Sequence, residues 1–228
     1  LDPERRRVPA RFRDDYDPDF DTVEVLNGYD AESEPKLRQV LRDWMHLLGQ
    51  GRRYSATGNS DSHKLFFIDP GVPRNLIHYA ASAPAAGTEA PSDATDVDAE
   101  PAAVIQAVRA GHLQVTTGPV LDVDIDGVGP GGTAEARDGR VTVHVRVRAA
   151  PWVDVRTVEL LLGQHAHRVR FIPLRESHEV VRLDETYDLR VAGDTFLVVY
   201  ARGRRPLPNV YSPAIRPVAF TNPIWIRR

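Results

Sequence analysis

The chain has 228 residues, 29 Lys plus Arg against 32 Asp plus Glu, a formal net charge of −3 and no cysteine. That length suits one large domain or two small ones, and an apolar content of 42% is enough to form a core. The charge balance gives no support to a nucleic-acid binder, no apolar run approaches the ~20 residues of a membrane span, and disulfides, thiol nucleophiles, Cys-ligated zinc and iron–sulfur centres are excluded.

Residues 1–19 are polar and irregular, begin without Met and have no apolar h-region, so they do not read as a signal peptide. The chain reads as a mature or trimmed product, or as part of a longer one. The first ordered signal is FDTVEVL, Phe20 to Leu26, whose alternation suits a short strand that ends at the turn pair Asn27-Gly28. A helix follows: Leu37, Val40, Leu41, Trp44, Leu47 and Leu48 fall on one stripe. Ser33 is placed as its N-cap, Pro35 in its first turn and Gly49 or Gly51 at its stop. A second strand over about Tyr54 to Thr57 completes a strand–helix–strand rhythm.

After Tyr79 the composition shifts to Ala, Pro, Ser, Asp and Gly, which marks a loop or linker over 81–98. A connecting helix is expected over 99–111, capped by Asp98 and closed by Gly111. From His112 the pattern is β. Val141, Val143, Val145 and Val147 alternate strictly, and RTVELLL, HRVRFI, HEVVRL, TFLVVYA and NPIWI follow between Gly, Pro and Asp turns. This spacing predicts an antiparallel β-sandwich over 112–228. Residues 1–80 read as a piece of an α/β domain, too small to cover both faces of a sheet by itself.

The chemistry concentrates in Thr57-Gly58-Asn59-Ser60-Asp61-Ser62-His63, where a predicted strand ends. Functional groups of parallel α/β folds gather at such carboxyl ends. A carboxylate and an imidazole two residues apart in an extended loop can turn to one divalent ion; a solvated turn with a surface His is the other reading of the same residues. His165-Ala166-His167 reads as a hairpin turn, His112 as structural, His46 as packing or surface, and His78 as ambiguous. No G-x-S-x-G, phosphate loop or dinucleotide fingerprint is present.

TGNSDSH followed by GVPRNLI resembles the last metal-binding motif of the polymerase-and-histidinol-phosphatase (PHP) superfamily. With FDTVEVLNG, AVRAGHLQVTTGPVLDVDIDG and AFTNPIWI in the same order, the chain resembles the CehA/McbA type of PHP metallohydrolase over nearly its whole length. The resemblance implies α/β plus all-β architecture: the C-terminal part of a distorted (β/α)7 barrel over 1–80, followed by the β domain. It also implies two or three divalent ions (Zn, Mn or Fe) in the complete protein. Asp61 and His63 would be ligands and carry the chemistry, with Glu24 a weaker ligand and Asn27 weaker still. Arg74 and Thr117 would touch a small-molecule ester substrate, a phosphoester or a carboxyl or carbamate ester. The H-x-H ligands that open such barrels are missing, so the resemblance places the absent barrel segment before Leu1 and makes this chain nearly inactive by itself. The alternative is a non-catalytic β module for carbohydrate or a protein partner, with Trp152, Tyr200, Tyr211 and Trp225 along a groove.

Overall fold

A computed structural model describes residues 19–28, 33–63, 70–79, 101–208, 210 and 215–228. The linker at 81–98 and Tyr211 lie outside these residues. The first unit is β1 (Thr22–Asn27), α1 (Ser33–Gly49) and β2 (Ser55–Asn59). β1 and β2 are parallel, with Thr22 opposite Ser55 and a register irregularity between Glu24 and Leu26. The apolar stripe of α1 buries Leu37, Leu41, Trp44, Met45 and Leu48. Trp44 donates its indole N–H to the Tyr54 carbonyl at 2.8 Å, and its ring meets Phe220 at 6.5 Å between centroids. The helix is thereby clamped between β2 and the sheet that follows.

β3 (Arg74–Ile77) and α2 (Pro101–Ala110) lead into β4 (Leu113–Thr116), β5 (Val120–Ile125), β6 (Thr133–Glu135) and β7 (Arg140–Arg148). Then come β8 (Thr157–Leu162), β9 (His167–Pro173), β10 (Val181–Arg190), β11 (Thr195–Arg202), β12 (Val218–Thr221) and β13 (Ile224–Arg227). The larger sheet has the order β3-β4-β12-β11-β13-β6, with β8 also on β11 and β9 on β8; the smaller sheet is β10-β7-β5. Val141, Val143, Val145 and Val147 are buried on one face of β7, and they share one continuous core with β1, α1, β8 and β11.

The expected barrel portion is corrected here. The described residues hold no (β/α)7 barrel: they form one two-stranded parallel sheet with one crossover helix, and the other sheets are largely antiparallel. β3, from the stretch read as barrel, pairs antiparallel with β4. The physical reason lies at the second edge of β2. Asn222 accepts from the Ala56 N–H at 2.7 Å and donates to the Ala56 carbonyl at 3.0 Å. Asn75 does the same for Gly58, at 2.9 Å and 3.0 Å. Two side-chain amides thus occupy the backbone groups that a neighbouring strand would use.

Asn222 reaches β2 because of a bulge. β12 and β13 line the same edge of β11, but the register advances by one residue between Tyr200↔Phe220 and Leu197↔Ile224. The extra residue falls at Asn222-Pro223, where Pro223 has no N–H to donate. The Thr221 hydroxyl accepts from the Val199 N–H at 3.0 Å instead. A second tie joins α1 to the β region: the buried Glu159 carboxylate takes Arg38 of α1 at 3.1 Å and Arg168 of β9 at 3.6 Å.

Candidate functional site

The parallel register carries Glu24 and the segment after β2 to one end of the first unit. Glu24 lies opposite Thr57 and Asn27 opposite Asn59. One Glu24 carboxylate oxygen accepts from the Asn59 amide at 2.5 Å, the other from the Asn27 amide at 2.7 Å. Asn59 in turn accepts from Asn75 of β3 at 3.0 Å. A polar row therefore runs across the carboxyl ends of β1 and β2 and onto β3. Asn59 and Asn75 stand in the motifs TGNSDSH and GVPRNLI but carried no role in the sequence reading, since nothing local shows which neighbour an Asn amide will meet.

Asp61 and His63 leave β2 immediately beyond this row. Their side chains are 57% and 63% exposed, and His63 Nδ1 lies 3.8 Å from Asp61 Oδ1. The same nitrogen is 2.5 Å from the Asp61 carbonyl oxygen, which can only accept, so Nδ1 is the donor in this contact. Asp61 sits at φ +49°, in the left-handed region that Asp tolerates better than most residues. The pair offers one carboxylate and one imidazole of suitable chemistry for a divalent ion. A group of three or more His, Asp or Glu able to hold a metal is not found among the described residues.

The other expected site residues go elsewhere. Thr117 is buried. Its hydroxyl accepts from the Val218 N–H at 2.9 Å and lies 3.3 Å from the Arg216 and Val218 carbonyls, so it staples β4 to β12. Its neighbour Thr116 does the same inside the turn, bonding the Pro119 carbonyl and the Gly118 N–H. Arg74 opens β3, exposed, with its guanidinium on the Gly71 carbonyl at 3.0 Å. His112 bonds the Pro130 carbonyl at 2.7 Å. His165-Ala166-His167 forms the β8–β9 turn, with Ala166 at φ +48°. Of the aromatics read as a groove, Tyr200 is 1% exposed and Trp152 is 62% exposed. Trp152 and Trp225 line separate cavities.

Shifted titratable groups lie away from the Asp61–His63 pair. Burial pushes the Asp154 carboxyl up, but the Arg204 and Arg205 N–H groups and the Arg156 guanidinium together hold it below its ordinary value. On the outer face of the small sheet His144 sits between Asp184 at 2.8 Å and Asp124 at 3.3 Å. These bonds, Asp184 first, raise its pKa. Both clusters bridge backbone segments, and the recesses lined by Asp154 and by Asp124 do not include Asp61 or His63.

No family model and no curated protein matches this chain. No helix among the described residues is long and apolar enough to cross a membrane.

Proposed function

We propose that this chain supplies part of the centre of a divalent-metal-dependent hydrolase that acts on a phosphoester or on a carboxyl or carbamate ester. The observation that carries the reading is the adjacency of the Asp61 carboxylate and the His63 imidazole just beyond the carboxyl end of β2, where Glu24 holds Asn59. The resemblance of TGNSDSH and GVPRNLI to a PHP-superfamily metal motif supports it, independently of the barrel. Asp61 and His63 are the direct ligands in this proposal. His63 would bind through Nε2, since Nδ1 is engaged with the Asp61 carbonyl. Glu24, with both oxygens held by asparagine amides, adds negative charge beside them and fixes the polar row. Arg74, whose guanidinium bonds the Gly71 carbonyl beside β3, would have to leave that carbonyl to attract an anionic ester group.

A divalent ion there would supply Lewis acidity and bring the pKa of a water molecule toward ~7. Two ligands are fewer than the three protein ligands typical of such a centre. The proposal therefore assigns the remaining ligands to residues outside the described set or to another polypeptide.

The test is a titration with Zn²⁺ and Mn²⁺, followed by calorimetry and by the NMR signal of the His63 imidazole. One weak binding event that shifts His63 and disappears in Asp61→Ala/His63→Ala supports the reading, with turnover of p-nitrophenyl phosphate close to background. An unmoved His63 signal refutes the metal assignment. Fast metal-dependent turnover by this chain alone refutes the shared centre.

A further inference from the structure

At the opposite end of the first unit, where α1 stops and β2 begins, the protein holds a cavity of about 610 Å³. That is within the ~300–1,000 Å³ range of small-molecule sites. One side of it carries Trp225, backed by the buried Phe196 at 5.3 Å between centroids, and the Arg53 guanidinium lies 4.6 Å from the centre of the Trp225 ring. Its charge is unbalanced. Arg53 and Arg227 both line it and form no ion pair among the described residues, against the single carboxylate of Asp194. Asp194 already accepts from the Arg228 N–H at 3.0 Å. His165 and His167, from the β8–β9 turn, add imidazole nitrogens at the rim.

The rim is fixed in place. A Cβ on Gly49 would lie 2.1 Å from the Gln164 Cβ, so the turn bearing His165 rests directly on the last residue of α1. The recess is open to solvent and is bordered by α1, the β8–β9 turn and β13. We propose that it binds a small organic anion carrying a planar ring. The ring would pack against Trp225, and the anionic group would meet Arg53 and Arg227. Sequence spacing could not reveal this site, because its residues come together only through tertiary packing.

Calorimetry on the full chain at low salt, with three probes, tests it: naphthoate (ring and charge), naphthalenemethanol (ring alone) and inorganic phosphate (charge alone). The expected result is one naphthoate per chain, bound more tightly than either other probe. Affinity should fall by about tenfold in Arg53→Ala and in Arg227→Ala, as for a lost charged hydrogen bond, and stay unchanged in Arg190→Ala. Both test residues are exposed, so the variants keep the core. Absent naphthoate binding, an equal affinity for the neutral ring or for phosphate, or an unchanged affinity in Arg53→Ala would each overturn the proposal. So would loss of naphthoate binding in Asp61→Ala/His63→Ala, which would put the ligand at the other end of the unit; retention there separates this site from the metal reading.

Discussion

Replacing Asn222 by Ala should be among the most damaging single changes to this fold. The residue is 0% exposed and its amide makes three hydrogen bonds, of 2.7 Å and 3.0 Å to Ala56 and 3.1 Å to the Leu113 carbonyl. Ala56 is itself fully buried, so water cannot replace the lost partner at the Ala56 N–H. The Leu113 carbonyl retains the Asn222 N–H at 3.2 Å and suffers less. Each buried backbone group left without a partner costs about 1–3 kcal/mol. The two Ala56 groups therefore set an expected loss of about 2–6 kcal/mol, a large share of the ~5–15 kcal/mol that a domain has in total. Urea unfolding followed by far-ultraviolet circular dichroism and by tryptophan fluorescence measures it. Of the three tryptophans, Trp44 lies in the first unit and Trp152 and Trp225 in the β region. The transition midpoint should fall sharply in both probes together, because α1 and the sheets share one core. A loss below about 1 kcal/mol would mean that the amide is dispensable and that packing alone docks β2. Asn222→Asp separates the two halves of the bond, since it keeps an acceptor for the Ala56 N–H but loses the donor and buries a charge.

The ion pairs of Glu159 should be unequal. Arg38→Ala removes the closer partner of a buried carboxylate and should cost about 2 kcal/mol in thermal or urea unfolding, as for a hydrogen bond to a charged group, whereas Arg168→Ala, at a longer distance and more exposed, should cost less than about 1 kcal/mol; equal costs would contradict the geometry. His144 should make stability pH-dependent in a definite direction. Its folded-state pKa is raised by Asp184 and Asp124, so its contribution is complete below the unfolded value of about 6.5 and is lost as pH rises through the higher folded value. At 39% side-chain exposure the effect is screened and should stay below about 1 kcal/mol. Comparing wild type with His144→Gln from pH 5 to 9 checks it, and a stabilisation that grows with rising pH would refute the sign.

The parts of the fold that repeat locally were legible in the sequence. The Leu37–Leu48 stripe became α1, and the alternating valines from Val141 became the buried face of β7, because burial at a fixed period leaves its mark within a few residues. The barrel expectation failed because one strand–helix–strand unit reads the same whether it stands in a barrel or alone. What decides between them is the partner on the far edge of β2, and Asn222 lies 166 residues from Ala56. The candidate site divided along the same line. Asp61 and His63 are brought together by adjacency in one loop, and Glu24 reaches their end of the unit through the parallel pairing. Thr117 carries a motif-like appearance, yet its hydroxyl is committed to β12, a partner that no local spacing announces.

The two amides on β2 also bear on how this protein behaves in a crowded solution. An unpaired strand edge is a template on which another chain can add, and such addition can repeat without limit. Asn75 and Asn222 satisfy that edge with groups that end where the side chain ends, so no second backbone can extend from them. The protein keeps a short parallel pair beside a large antiparallel sheet without offering the edge of β2 as a seed for self-association.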